Sequence, residues 1–210
     1  ALLAAGGGLI SCSKGSSGGP PQDYTWTQIG AKGGCIPSVV FHPTKTGEVW
    51  ASGDDGTGLY KSTDYGTTWT AVSAAGLNQS SYALRFDPEN PDIIFAPNHF
   101  GRGMLRSIDG GVTWTSSQAG LPIVGNDAQL LWDLAIKPTD HNIVIAATNS
   151  GLFISTDNGI SFSQAPATGL TGNSQFTAVA YRSDGVLFAG KSDGAFGYST
   201  DNGTSFTQAL

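Results

Sequence analysis

The sequence predicts an all-β protein in which four-stranded sheets are arranged as the blades of a β-propeller. One octet pattern occurs four times, and its aspartates are 45, 48 and 44 residues apart, a spacing typical of one propeller blade. Short apolar runs fill each repeat, as expected for strands with one buried face. The 30 glycines and the 12% content of charged residues favour tight turns and strands over helices.

The positions of the basic residues and of the histidines bear on two kinds of partner, nucleic acids and metal ions. The formal net charge is −6, and the ten lysines and arginines are scattered singly along the chain. A nucleic-acid surface needs clustered basic side chains, so we expect no nucleic-acid partner. His42, His99 and His141 are far apart and show no metal-ligand spacing. We therefore expect no metal and no cofactor.

The octet reads S-x-D-x-G-x-S/T-W/F and predicts a structural turn between the third and fourth strands. Its aspartate can accept backbone N–H groups of the turn, and its glycine can adopt the left-handed conformation. Its aromatic residue can bury a large apolar face between blades. The pattern resembles the Asp-box, or BNR, repeat, which indicates a fold more strongly than a function. The structural aspartates are Asp64, Asp109, Asp157 and Asp201.

Each repeat is interpreted as four strands, with a proline ending three of the four first strands. The predicted blades cover about 36–74, 82–119, 130–167 and 175–210, within a propeller region of 23–210. The segment around Trp26 looks like an additional fourth strand that belongs to none of these blades. We therefore expect part of a larger propeller of about seven blades. A closed four-bladed ring is the alternative, and it leaves the Trp26 strand unexplained.

The N-terminal region looks like an export signal. Residues 1–12 form a short apolar run, too short to span a bilayer, that ends at Cys12. This run resembles a bacterial lipoprotein signal, whose cysteine becomes acylated. Residues 13–22 would then be a flexible tether. We expect an extracytoplasmic protein at the cell envelope or surface, with membrane contact only through this lipid; an ordinary leader with a chance cysteine is the alternative.

The candidate site lies on the face where the second strand connects to the third and one blade connects to the next. Asp54 is the candidate catalytic carboxylate there, and Asp55 is a weaker one. Both can equally hydrogen-bond the backbone of their own turn. Other side chains near these loops can stack on or hydrogen-bond a sugar, although a role in the core or in an ordinary surface loop is the alternative for each. The candidate substrate-binding residues are Trp50, His99, Phe100, Arg102, Trp132 and Asp133.

Residues 33–43, 49–56 and 59–60 resemble the first blade of family 74 glycoside hydrolases, which are xyloglucanases and endoglucanases. The resemblance implies a polysaccharide substrate of the β-glucan or xyloglucan type and places Asp54 at the position of a catalytic aspartate. Ser52 and Gly53 depart from the arginine and threonine that usually precede that aspartate in the family. The resemblance also implies that the second carboxylate lies in a later propeller. Because inverting hydrolysis needs two carboxyl groups, we expect this chain alone to be inactive.

A non-catalytic function is the alternative. Sortilin-type propellers and the photosystem II assembly factor also carry Asp-box repeats and act as binding or assembly modules. The generic repeat fits that class as well, with a protein or a glycan as the ligand.

Overall fold

The computed structural model describes residues 36–53, 58–72, 83–97, 103–122 and 131–209. Within these ranges every regular element is a β-strand. No helix in them is long and apolar enough to cross a membrane. Cys12, the predicted tether and Trp26 lie outside the described residues.

In the described residues, sixteen strands form four antiparallel sheets, and each sheet contains four consecutive strands in chain order. The predicted all-β propeller is confirmed. Blade 1 contains β1 (Ser38–Phe41), β2 (Val49–Ser52), β3 (Leu59–Ser62) and β4 (Thr70–Val72). Blade 2 contains β5 (Arg85–Phe86), β6 (Ile94–Pro97), β7 (Met104–Ser107) and β8 (Thr115–Ser116). Blade 3 contains β9 (Leu131–Ile136), β10 (Val144–Thr148), β11 (Gly151–Ser155) and β12 (Ser163–Gln164). Blade 4 contains β13 (Phe176–Tyr181), β14 (Leu187–Lys191), β15 (Phe196–Ser199) and β16 (Thr207–Gln208).

The first strand of each blade lies towards the propeller axis, where successive blades converge. The Ser38 hydroxyl accepts the backbone N–H of Leu84 at 3.3 Å, which links blade 1 to blade 2. Asp133 likewise accepts the N–H of Val179 at 3.0 Å, which links β9 to β13. The fourth strands, by contrast, are mostly exposed. The sheets are therefore arranged radially, as in a propeller.

The hydrophobic core is divided among the contacts between successive blades, which we call seams. Three buried clusters lie at the seams of blades 1 and 2, 2 and 3, and 3 and 4. Side chains along a second strand alternate between the two neighbouring seams. In β6, Ile94 and Ala96 pack in the first seam, whereas Phe95 packs in the second. A central strand with both faces buried explains why the second strands are almost wholly apolar.

The Asp-box turns use their aspartates as predicted. One oxygen of Asp64 accepts the Thr68 N–H at 2.8 Å, and the other accepts the Thr68 hydroxyl at 2.6 Å. Hydroxyl and backbone hydrogen bonds of this kind lower the pKa of Asp64, Asp109 and Asp201 to about 2. Asp157 makes the same pair of contacts with Ser161. A carboxyl group with so low a pKa cannot act as a general acid near neutral pH.

The box glycine has a second role that the octet pattern did not predict. Gly111 has φ +86° and Gly159 has φ +76°, and a Cβ at either position would overlap a ring of the preceding blade. That ring is Trp50 for Gly111 and Phe95 for Gly159. The glycine therefore allows both the left-handed turn and close packing at the seam.

The Asp-box turns lie at the same end of the sheets as the connections between first and second strands. Tyr65 donates its N–H to the Gly47 carbonyl at 2.9 Å, and Asn158 donates to Asn142 at 2.9 Å. The connections between second and third strands lie at the opposite end of the sheets. We call that opposite end, around the propeller axis, the mouth.

Candidate functional site

Five predicted site residues lie outside the described residues: Asp54, Asp55, His99, Phe100 and Arg102. The strands on either side of the first pair are described. β2 ends at Ser52 and β3 begins at Leu59, and these two residues are paired. They occupy the same end of their sheet as Thr148 and Gly151 in blade 3. The catalytic role of Asp54 stays a prediction.

Trp132 lies at the mouth on a β-bulge. Asp133 pairs with Ala147 and Leu131 pairs with Thr148, so Trp132 is the extra residue of β9. Its indole N–H donates to Asn149 Oδ1 at 2.5 Å, and the residue is partly exposed. A bulge redirects a side chain and is common next to functional sites. Trp132 is thus a fixed aromatic group at the edge of the mouth.

Polar groups from blade 4 lie close to the loop that contains Asn149. The Ser174 hydroxyl donates to the Asn149 carbonyl at 3.1 Å. Asn173 donates its backbone N–H to Asp193 at 2.5 Å and its side-chain amide to Ser192 at 2.9 Å. Backbone N–H groups of Asn173 and Ala195 lower the pKa of Asp193. This part of the mouth therefore combines an aromatic ring with amides, hydroxyls and an ionised carboxylate.

Asp193 was not singled out by the sequence analysis. It lies between β14 and β15, the connection of blade 4 that corresponds to the one between β2 and β3. An Asp-Gly pair occurs in both connections, at Asp55 and at Asp193. This shared pair was the available signal, and alignment of the four repeats by their boxes would have found it.

Asp133 connects inner strands, and its role as a substrate-binding residue stays a prediction. Its Oδ1 accepts Arg85 Nη2 at 2.6 Å and the Leu134 N–H at 2.8 Å, and its Oδ2 accepts the Val179 N–H. Arg85 Nε also donates to the Leu134 carbonyl at 3.0 Å. The pair therefore connects β5, β9 and β13, and both oxygens of the carboxylate already have protein partners.

Trp50 belongs to the core, so its prediction as a stacking platform is wrong. Only 1% of the residue is exposed, and its indole N–H donates to Glu48 Oε1 at 2.8 Å. The ring also meets Phe86 edge to face, with centroids 5.8 Å apart. A sugar cannot reach a ring that is buried in the seam of blades 1 and 2.

The described residues contain no group of three or more His, Cys, Asp or Glu side chains that could hold a metal ion. The described part of the mouth offers hydrogen-bonding groups, the Trp132 ring and the negative charge of Asp193.

Comparison with known proteins places the fold. No protein-family model matches the chain. A xyloglucanase of Hypocrea jecorina (strain QM6a) is 28% identical over 169 residues, which are 71% of this chain and 20% of that protein. An ancestral GH74 enzyme superposes with a TM-score of 0.67 at 17% identity, covering 83% of this chain and 25% of the enzyme. The chain has a β-propeller fold similar to that of GH74 enzymes.

Other solved propellers are also similar to this chain. The GH74 xyloglucanase from Xanthomonas campestris gives a TM-score of 0.64 at 22% identity, covering 86% of this chain and 31% of that one. YCF48 bound to D1 peptide gives a TM-score of 0.58 at 17% identity, covering 90% of this chain and 58% of that one. The chain thus spans 20% of the length of its curated relative and 25–31% of these GH74 structures.

Proposed function

We propose that this GH74-like propeller is part of an exported glycoside hydrolase that acts on β-glucan or xyloglucan-like polysaccharide. The similarity to a xyloglucanase supports this assignment. The observation that carries it is Trp132, a partly exposed ring held on a bulge by Asn149. An apolar ring beside a few oriented polar groups is the usual composition of a ligand site. The polysaccharide lies across the mouth, with one sugar against this ring.

The hydrolytic step needs one protonated and one ionised carboxyl group on opposite sides of the glycosidic bond. In this proposal Asp54 is one of the two. Asp193 is held ionised by backbone N–H groups, which suits it to accept hydrogen bonds from sugar hydroxyls and not to donate a proton. Asp133 is occupied by Arg85. The resemblance to family 74 glycoside hydrolases implies that the second catalytic carboxyl comes from a later propeller of the full-length protein.

Reducing-sugar release from xyloglucan by the full-length protein tests the proposal. We expect Asp54→Ala to abolish release, because one of the two carboxyl groups is then missing. Asp193→Asn is the matched control, since it removes a carboxylate from the corresponding connection of blade 4. It should weaken substrate binding and leave turnover at saturating xyloglucan largely intact. Unchanged release by Asp54→Ala would remove Asp54 from the active site.

A non-catalytic binding module is the second candidate. The similarity to YCF48 favours it, because the chain covers a larger share of that protein than of the GH74 enzymes. In this case the full-length protein binds its ligand at the mouth and releases no sugar. Xyloglucan oligosaccharide binding without hydrolysis would then identify a glycan-binding module. Absence of both oligosaccharide binding and sugar release would favour a protein ligand.

We also propose that Cys12 carries the lipid that holds the protein at the cell envelope. The support is the apolar run that ends at this cysteine. Mass spectrometry of the protein expressed in a bacterial host should find an acylated N-terminal Cys12. Cys12→Ser should release the protein from the membrane fraction, whereas Cys35→Ser should leave it there. Membrane association of Cys12→Ser would contradict the anchor.

A further inference from the structure

The inner strand of blade 4 contains a β-bulge at the mouth, as the inner strand of blade 3 does. Phe176 pairs with Lys191 and Ala178 pairs with Gly190, so Thr177 is the extra residue of β13. A bulge leaves its extra residue without a partner in the ladder and redirects the side chain. Thr177 is partly exposed, as a redirected side chain at the mouth would be.

The burial pattern agrees with a bulge in both strands. Leu131 and Leu134 of β9 are three residues apart, yet both are buried in the seam of blades 2 and 3. Phe176 and Val179 of β13 have the same spacing, and both are buried in the seam of blades 3 and 4. In an uninterrupted strand, two residues three apart would point to opposite faces of the sheet. The extra residue in each strand brings both members of the pair to the same face.

Thr177 is therefore the blade 4 counterpart of Trp132. Each is the residue that the pairing of the first and second strands skips. The correspondence extends to the neighbouring loop, because Asn149 and Ser192 each directly follow the last paired residue of the second strand. Asn149 holds the Trp132 indole, and Ser192 occupies the matching position beside Thr177.

The two bulges lie on adjacent inner strands. Asp133 directly follows Trp132, and its Oδ2 accepts the N–H of Val179 at 3.0 Å. Val179 is two residues after Thr177. A ligand that stacks on Trp132 and extends towards blade 4 therefore passes Thr177.

The Thr177 hydroxyl is suited to a sugar ligand. Within the described residues it has no hydrogen-bond partner. The nearby Thr148 differs in this respect, since its hydroxyl donates to the Gly151 carbonyl at 2.9 Å. A hydroxyl group can donate one hydrogen bond and accept two, which matches the hydroxyl groups of a polysaccharide.

We propose that Thr177 is a further ligand-binding residue of the mouth and contacts the part of the polysaccharide that extends from Trp132 onto blade 4. The same backbone device thus presents a ring in blade 3 and a small hydrogen-bonding group in blade 4. The nature of the ligand rests on the proposed function, whereas the placement of Thr177 rests on the two matching bulges.

Calorimetric titration of the chain with xyloglucan oligosaccharide tests the role of the hydroxyl. Thr177→Val removes the hydroxyl and keeps a β-branched side chain of similar shape. We expect this variant to bind the oligosaccharide about fivefold more weakly, since one hydrogen bond is lost. Thr207→Val is the matched control on the exposed outer strand β16, and it should bind like the parent chain.

A second variant should change affinity in the opposite direction. Thr177→Trp combined with Ser192→Asn reproduces in blade 4 the arrangement of Trp132 and Asn149. We expect this double variant to bind the oligosaccharide about fivefold more tightly, because a second ring then stacks on the ligand. Unchanged affinity in both Thr177→Val and the double variant would overturn the proposal.

Trp132→Ala separates failure of this inference from failure of the proposed function. Weaker binding by Trp132→Ala, with parental binding by both Thr177 variants, would remove Thr177 from the site and leave the proposed function standing. If the parent chain itself binds no xyloglucan oligosaccharide, the proposed substrate is wrong, and the placement of Thr177 is then decided without a ligand.

That measurement is the alkylation rate of a cysteine at each position, in a chain that also carries Cys12→Ser and Cys35→Ser. Thr177→Cys should react with iodoacetamide at least about tenfold faster than Val179→Cys, because reactivity follows exposure and Val179 is 5% exposed. A rate for Thr177→Cys no higher than that for Val179→Cys would overturn the placement of this side chain at the mouth.

Discussion

The seam of blades 1 and 2 and the seam of blades 2 and 3 each contain a histidine, and the two histidines have opposite environments. His42 accepts the N–H groups of Thr44 and Lys45 on Nδ1, at 3.2 and 3.1 Å. Nδ1 is therefore unprotonated and Nε2 carries the hydrogen. Among the described residues Nε2 has no hydrogen-bond partner, and Glu48 Oε1 lies 3.9 Å away.

His141 faces carboxylates instead. Its Nδ1 donates to Asp87 Oδ1 at 2.6 Å, and its Nε2 lies 3.3 Å from Glu89 Oε1. Asp87 is only 2% exposed and also accepts the side-chain amide of Asn158 at 3.1 Å. Arg106 Nη2 in turn donates to Asn158 at 2.5 Å. This network joins blade 2 to blade 3 through charged and polar groups.

The difference comes from one turn position. His42 and Asp87 occupy equivalent places after the first strand, where Asp87 accepts the N–H groups of Glu89 and Asn90. Burial lowers the pKa of His42, and the charge of Glu48 opposes this only in part. Burial also acts to lower the pKa of His141, but the hydrogen bond and charge of Asp87 outweigh it and raise the value. The pKa of the histidine at this position is lowered, whereas an aspartate at this position raises the pKa of the histidine that it contacts in the next blade.

The largest predicted loss of stability comes from steric overlap at each of the two seams. Gly111→Ala and Gly159→Ala each put a methyl group into a ring of the preceding blade and strain a left-handed backbone. We expect each to lower the free energy of unfolding by about 3 kcal/mol or more, measured by urea denaturation. Gly194→Ala is the control, since Gly194 has φ +90° and no atom within 4 Å of a Cβ. It should cost about 1 kcal/mol, and an equal loss at all three sites would show that the ring contacts contribute nothing.

The second largest predicted loss of stability is confined to the seam of blades 2 and 3. Asp87→Ala removes the buried carboxylate that accepts hydrogen bonds from His141 Nδ1 and from the Asn158 amide. We expect a loss of about 3 kcal/mol in the free energy of unfolding. Asp92→Ala in the same turn serves as the control, because Asp92 is exposed, and it should change stability by less than about 0.5 kcal/mol. Comparable losses from both variants would contradict a special role for the network.

The two histidines should affect the pH dependence of stability differently. His141 should lose its contribution to the free energy of unfolding at alkaline pH. Because the pKa of His141 is raised on folding, its contribution is present below the unfolded pKa of about 6.5. That contribution is lost as the pH rises through the higher folded value. Urea denaturation at about pH 6 and about pH 8 should show a decline in the parent chain of about 1–2 kcal/mol that His141→Gln lacks. A decline of equal size in the variant would contradict the assignment.

His42 should change the pH dependence of stability in the opposite direction, and its effect should be the smallest of the four. Its pKa is lowered on folding, so its contribution is present above the unfolded pKa of about 6.5 and is lost as the pH falls through the folded value. His42→Asn keeps an acceptor for the turn N–H groups and cannot be protonated. Between about pH 7 and about pH 5 the parent chain should lose about 1 kcal/mol more than this variant. Parallel curves for the two proteins would argue against a neutral buried His42.

The contacts that could be predicted from the sequence are those within one turn. The octet pattern correctly predicted the hydrogen bonds of Asp64 and the left-handed Gly66, because both depend on residues that are neighbours in the chain. The left-handed conformation of Tyr65, with φ 59°, was not predicted. The octet pattern allows any residue at that position, so only the turn geometry shows its left-handed conformation.

The contacts that could not be predicted cross from one strand or blade to another. Trp50 and Trp132 look alike in the sequence, since each lies in or beside an apolar strand near a loop. The first is buried because it alternates into a seam, and the second is redirected by a one-residue register shift. His141 and Asp87 are 54 residues apart, and no local pattern links them.

In the proposed function, the mouth beside Trp132 binds a β-glucan chain. The most direct test is an NMR titration of the chain with xyloglucan oligosaccharide, following the indole N–H resonances. We expect the Trp132 resonance to shift, because Asn149 holds this N–H in place at the position where we propose that the ligand binds. The Trp114 resonance should stay in place, since that indole donates to Gly111 in an Asp-box turn at the opposite end of the sheets. Equal shifts of both resonances, or a shift of neither at saturating oligosaccharide, would contradict the account.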